Sequence, residues 1–150
     1  VCSSDLSYRG ETPRNASMFL TGGHLYVYFT YGMHHCANVV TGPEGRGEAV
    51  LLRAVEPVAG VARMRAARGG PSDDRLIASG PARLCEAFGF GREDDGVDLC
   101  GAEVYIVRGE RKEGIVSTTR IGIRHAAEKP WRYCLRDNPF VSRKPASPKA

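Results

Sequence analysis

The chain has 150 residues and a mass of 16.3 kDa, with 42% hydrophobic and 25% charged residues. That composition fits one globular domain, large enough to bury about two thirds of the surface its unfolded form exposes, and it excludes long disorder, a collagen repeat and a coiled coil. The net charge of +4 is unevenly spread: residues 108–150 carry 11 basic and 4 acidic groups, and residues 1–107 carry 10 and 13.

Taken in chain order, the first element expected is a turn at Thr12-Pro13 within a polar stretch. Residues 25–31, Leu-Tyr-Val-Tyr-Phe-Thr-Tyr, are aromatic and β-branched and predict a strand. Cys36-Ala37-Asn38-Val39-Val40 predicts a second, with a hairpin tip at Gly32-Met33-His34. A Gly- and Pro-rich turn over 42–47 leads to a third strand over 49–55, apolar enough to be buried on both faces. Three strands with short connections give an antiparallel meander.

Helices are expected next, over 61–68 and again from Pro81, which stands at a first helical position after Ser79-Gly80. Leu84, Cys85 and Phe88 would form the core face of that second helix, with Gly89 ending it. Residues 91–101 read as an acidic loop. Further strands are expected at 103–108, 120–124 and 131–135. The fold class is α+β: a single domain with a curved antiparallel sheet, a protruding β-hairpin and flanking short helices. Residues 144–150 read as a disordered tail.

The five cysteines are odd in number and no pair has C-x-x-C spacing, which argues against a disulfide framework or a zinc site and suits a reducing, cytoplasmic compartment. Cys36 and Cys85 read as buried thiols. His34, His35 and Cys36 are adjacent on a strand, so they alternate faces and cannot converge on one metal. No apolar run reaches the ~18 residues of a membrane span, and no nucleotide-binding or hydrolase motif is present.

Three residues stand out as candidates for a site. Tyr28 lies in a strand with more tyrosine than a core needs, either as ordinary core or as a stacking platform for a planar ligand. Arg53 interrupts an apolar strand, paired with an acid such as Glu56 or facing a substrate anion. Asn38 is a lone amide among apolar residues, a core amide or a pocket residue. With a three-residue tip Tyr28 would face Asn38, and Asn38 would face Arg53, in one polar row across three strands. Tyr31-Gly32-Met33 would form an exposed apolar point of the kind that enters a DNA duplex. Arg14-Asn15 and Arg83, the latter beside a helix start, could meet phosphates, although capping and ordinary surface roles serve equally.

In order and spacing these motifs resemble the alkyladenine (3-methyladenine) DNA glycosylase family. The resemblance rests on Thr12-Pro13-Arg14-Asn15, Met18-Phe19, Tyr26-Val27-Tyr28, Tyr31-Gly32-Met33, Asn38-Val39 and the run from Leu51 to Pro57. Ser79-Gly80-Pro81, Leu84-Cys85, Arg120-Ile121-Gly122-Ile123 and Pro139-Phe140-Val141-Ser142 continue it. It implies monofunctional excision of alkylated or deaminated purines from double-stranded DNA by a monomer, with no metal, cofactor or membrane. It assigns Tyr31 and Met33 to intercalation. Tyr28, Asn38 and Arg53 go to the base pocket, with Arg53 supporting catalysis. Beside these, Arg14, Asn15, Gly32 and Arg83 are expected to contact the DNA backbone, a reading from the residues themselves.

One departure is large. The family's general base is a glutamate in a Glu-x-Glu-Ala-Tyr segment, placed upstream of the stretch seen here as Ser7-Tyr8-Arg9-Gly10, and these 150 residues contain no such segment. Residues 7–143 are therefore expected to be a glycosylase domain lacking its N-terminal segment, and inactive. Val1-Cys2-Ser3-Ser4-Asp5-Leu6 back-translates to a common sequencing adapter and is expected to be a non-native leader. The alternatives are a non-catalytic module that recognises lesions, and an unrelated RNA-binding or structural domain.

Overall fold

The computed structural model describes residues 10–110, 113–122 and 127–141. The expected leader, the tail after 143 and part of the expected strand at 120–124 lie outside the described residues. The α+β class holds, but the strands form two sheets rather than one. The first contains β1 (Leu25–Thr30), β2 (His34–Val40) and β3 (Ala49–Leu51), antiparallel in that order. Two helices follow, α1 (Val61–Ala67) and α2 (Pro81–Phe88), and then an antiparallel pair, β4 (Ile115–Thr118) with β5 (Arg132–Leu135).

Strand alternation gives the first sheet two covered faces. Leu25, Val27 and Ala37 pack with Cys85 of α2 and with Leu99. Tyr26, Val40 and Ala49 pack with Met18, from a short 3-10 turn at Ala16–Phe19. The outer edge of β1 is also covered: Leu25 exchanges backbone hydrogen bonds with Val97 and Gly96, and the Val27 N–H donates to Asp95 Oδ1 at 2.8 Å. This hides donors that would otherwise template another strand. Ser17 Oγ donates to the other oxygen of Asp95 at 2.7 Å, so one carboxylate ties the 3-10 turn to the strand edge.

Pro81 opens α2 and Gly89 closes it at φ +74°, where a left-handed residue lets the chain leave the helix. The core face of α2 is Leu84, Cys85 and Ala87. Phe88 instead is half-exposed and stacks on Phe90, with centroids 5.4 Å apart. Small Ala87 faces Ile77 and Met64, where α1 approaches.

Three sequence expectations change. The third strand ends at Leu51 rather than at 55, because the chain switches partners: Leu52 N–H still reaches Ala37, but Ala54 bridges to Ser79. Val50 is 41% exposed, so β3 is not buried on both faces. Residues 103–108 and 120–122 form no strand, whereas β4, at Ile115–Thr118, had no distinct signal in its short polar-flanked sequence.

Candidate nucleic-acid interface

The hairpin tip is the most unusual local geometry. β1 and β2 pair from Leu25↔Val39 to Thr30↔His34, leaving Tyr31, Gly32 and Met33 as the loop. Met33 N–H donates to Thr30 O at 3.2 Å, and the two central residues of this turn have positive φ, +52° at Tyr31 and +68° at Gly32. Positive φ at both centres is the sign pattern of a type I′ turn, which favours Asn and Gly. Glycine meets it freely at position 32. Tyrosine does not, and a non-glycine residue there carries about 1–2 kcal/mol of strain. Tyr31 gains no burial in exchange, because it is 84% exposed, and Met33 is 69% exposed.

The base of the same hairpin is packed. Tyr26 is 1% exposed and stacks on Tyr28, with centroids 5.5 Å apart. Burial, and then the nearby Asp95 carboxylate, push the Tyr26 hydroxyl up to about 12, partly opposed by Arg14. Burial likewise pushes the Cys85 thiol up to about 12, with smaller contributions of the same sign from Cys36 and from acids. Both groups are uncharged near neutrality, and neither is a thiolate or phenolate nucleophile.

Tyr28 and Asn38 do share a sheet face, but not in the expected row. Asn38 pairs with Tyr26, while Tyr28 pairs with Cys36. The three-residue loop has the expected length but begins one residue earlier, at Tyr31, and this shifts the register by two while preserving the face. Across β2, Asn38 pairs with Leu51 rather than Arg53. Arg53 lies two residues beyond the end of β3, where strand pairing to β2 has ceased. The common face is therefore that of Tyr28 and Asn38, in two adjacent rows, and the expected row across three strands does not extend to Arg53.

Asn38 is fully buried. Its Nδ2 donates to Tyr26 O at 3.2 Å, and its Oδ1 has no hydrogen-bond partner among the described residues. A buried carbonyl oxygen left unmatched costs about 1–3 kcal/mol. Arg53 is half-buried and lines a cavity of about 570 Å³ between the β3 segment and β5. Arg120, Arg132, Trp131 and Phe140 line it too, and Tyr28 and Asn38 do not. Two of these arginines come from the basic C-terminal third.

The expected backbone contacts divide. Arg14 is exposed, and its Nη2 donates to Phe29 O at 2.8 Å, beside the hairpin. Asn15 is 5% exposed and is occupied within the turn. Its Oδ1 accepts from Thr12 N and Thr12 Oγ1 at 2.6 and 2.8 Å, and its Nδ2 donates to Gly10 O at 3.2 Å. Arg83 is exposed at the start of α2, where its Nη1 lies 3.3 Å from Ser79 Oγ. The two histidines that follow the tip also find places. His34 Nδ1 lies 3.7 Å from Glu86 Oε1, and the His35 ring packs on Phe29 with centroids 5.0 Å apart. Sequence reasoning missed Glu86, because nothing in its local pattern distinguishes it from a solvated helix acid.

The site thus belongs to an α+β protein whose antiparallel sheet lifts an exposed apolar point clear of its core, with a buried amide on the supporting face. The chain belongs to the methylpurine-DNA glycosylase family, whose model matches residues 3–139. That match takes in residues 3–6, which the sequence had suggested lie outside the domain. A Burkholderia lata protein named "Putative 3-methyladenine DNA glycosylase" is 51% identical over 140 residues, 91% of this chain and 68% of its own. Proteins of the same name from Carboxydothermus hydrogenoformans and Methanoculleus marisnigri are 50% and 47% identical, over 73% and 74% of their lengths.

Proposed function

We propose that this chain recognises alkylated or deaminated purines in double-stranded DNA by turning them out of the helix, as the recognition part of a base-excision repair hydrolase. The observation that carries this reading is the tip: Tyr31 sits at positive φ, 84% exposed, on a hairpin whose base is packed. A strained, exposed aromatic residue has no use in the fold. It suits a wedge that fills the space left when a base leaves the stack, with Met33 beside it. The glycosidic bond is out of reach inside the duplex, so the base must be extruded before hydrolysis.

Tyr28, Asn38 and Arg53 would form the base pocket. Alkylation puts positive charge on a purine, which favours stacking on the electron-rich face of Tyr28 and weakens the bond to the sugar. Asn38 is held rigidly by its bond to Tyr26 and would crowd the exocyclic amine of guanine. Arg53 would face the phosphate or sugar beside the reacting carbon. Arg14, Gly32 and Arg83 would meet the DNA backbone, with Asn15 ordering the turn that carries Arg14. No step of this reading uses a metal or a cofactor.

Hydrolysis in a monofunctional glycosylase needs a general base to take a proton from the attacking water. These 150 residues contain no Glu-x-Glu-Ala-Tyr segment, and Glu11, the nearest acid, is exposed and off-motif. The chain as given is therefore expected to bind a lesion without appreciable turnover. The test is release of 3-methyladenine or hypoxanthine from duplex DNA, alongside binding across a salt series. Lesion-selective binding with a steep salt slope and no base release supports the reading. Robust turnover by these 150 residues would disprove the place given to the missing glutamate. Equal affinity for damaged and undamaged DNA would remove lesion recognition altogether.

A second reading is a non-catalytic module that uses the same tip to mark lesions without cutting them. A chain carrying an added Glu-x-Glu-Ala-Tyr segment separates the two: base release on addition supports the repair hydrolase, and continued binding without release supports the marker.

A further inference from the structure

We propose that Glu86 is a positioning residue for the wedge, joining the hairpin tip to the helix pair through an Arg68–Glu86–His34 chain; this rests on Tyr31 acting as proposed above. The chain of contacts starts in the core. Ile77 is fully buried, and its carbonyl accepts from Arg68 Nε at 3.0 Å. Arg68 caps the end of α1, and its Nη1 pairs with Glu86 Oε2 on α2. The other carboxylate oxygen of Glu86 faces His34 Nδ1 at 3.7 Å. His34 pairs with Thr30 in the last rung before the tip.

The mechanical need is plain. An isolated two-stranded hairpin is marginally stable in water, and forcing apart a base step costs a few kcal/mol. A wedge on a free hairpin would bend before the duplex opened. On the β1 side the rung below the tip is held by Arg14 donating to Phe29 O at 2.8 Å. On the β2 side the last rung is met by the Glu86 contact to His34, one residue before His35 packs on Phe29. Arg68 is the more buried of the two partners of Glu86, with a side chain 16% exposed against 39% for His34, so Glu86 is fixed first by Arg68 and offers its other oxygen to His34. Glu86 touches no base or sugar in this scheme. It acts through the hairpin.

The test uses a duplex carrying hypoxanthine next to 2-aminopurine, whose fluorescence rises when its neighbour leaves the stack. Glu86→Ala is expected to lower the fluorescence rise and the lesion affinity about five-fold, within the range of coupling between contacting residues. His34→Ala, which leaves the Arg68 contact intact, is expected to act in the same direction, and it covers the case in which Glu86→Ala alters folding. Neither substitution should add to Tyr31→Ala, because a brace has no effect without its wedge. Effects that add to Tyr31→Ala, or an unchanged signal in Glu86→Ala and His34→Ala while Tyr31→Ala loses it, would overturn the brace alone. An unchanged signal in Tyr31→Ala would overturn the wedge and the brace together.

Discussion

Tyr26 and Tyr31 lie five residues apart on one hairpin and differ in every physical respect. Tyr26 is 1% exposed, in extended backbone, stacked on Tyr28 and opposite a fully buried amide. Tyr31 is 84% exposed, at φ +52°, and packs on little. The first residue serves the core and tolerates no loss of volume. The second carries strain and returns nothing to the fold. One residue type thus has opposite stability consequences at the base and the tip, and this contrast separates scaffold from function.

The largest effect expected from breaking the contrast is at the base. Tyr26→Ala should destabilise the fold by about 3–5 kcal/mol, the usual cost of emptying an aromatic site in a core. Urea unfolding followed by tryptophan fluorescence measures it, and a loss under about 1 kcal/mol would mean that the base of the hairpin is not packed as described.

A second effect is alkaline. The Tyr26 hydroxyl lies at about 12 in the fold against an ordinary 10, so the folded state holds its proton more tightly. Its contribution is fully present below pH 10 and is lost as pH rises toward 12. Cys85 adds the same sign over a window from 9 to about 12. The urea midpoint should therefore fall above pH 9. Tyr26→Phe should remove the part starting near 10, and Cys85→Ala the part starting near 9. A midpoint that falls identically in all three proteins would contradict these assignments.

At the tip the sign reverses. Tyr31→Gly relieves positive φ but frees the unfolded chain, so stability should stay level or rise by up to about 1 kcal/mol. Selectivity for hypoxanthine duplex over undamaged duplex should nevertheless fall about ten-fold, a loss of ~1.4 kcal/mol in discrimination. Thermal melting and competition binding on the same sample check both halves. Met33→Ala should give the smallest response, within about 0.5 kcal/mol of wild-type stability, with a smaller loss of selectivity than Tyr31→Gly.

Much of this was legible before any coordinates. Period-two patterning placed β1 and β2, and Pro81 and Gly89 bounded α2, because those signals are local: alternation, a fixed proline φ, a left-handed glycine. The face shared by Tyr28 and Asn38 followed from loop length alone, since parity survives a two-residue register shift. The register itself did not follow, nor did the end of β3. Both depend on where distant partners compete for backbone groups, as Ser79 does for Ala54. The apolar stretch at 103–108 looked like a strand and has no sheet partner among the described residues, whereas the less marked Ile115–Thr118 found one in β5.

The sequence by itself determined the family, the three-strand meander, and the residues Tyr31 and Met33 at its tip. These rest on residue order and on short-range backbone preferences, which a linear text records in full. Only the tertiary structure decided that Tyr31 is held at positive φ, that Asn15 faces inward, that Asn38 keeps one buried oxygen unmatched, and that Glu86 stands between Arg68 and His34. Each depends on groups far apart in the chain or on a dihedral that residue order leaves open. Such facts are settled by the balance of packing and hydrogen bonding in the whole fold.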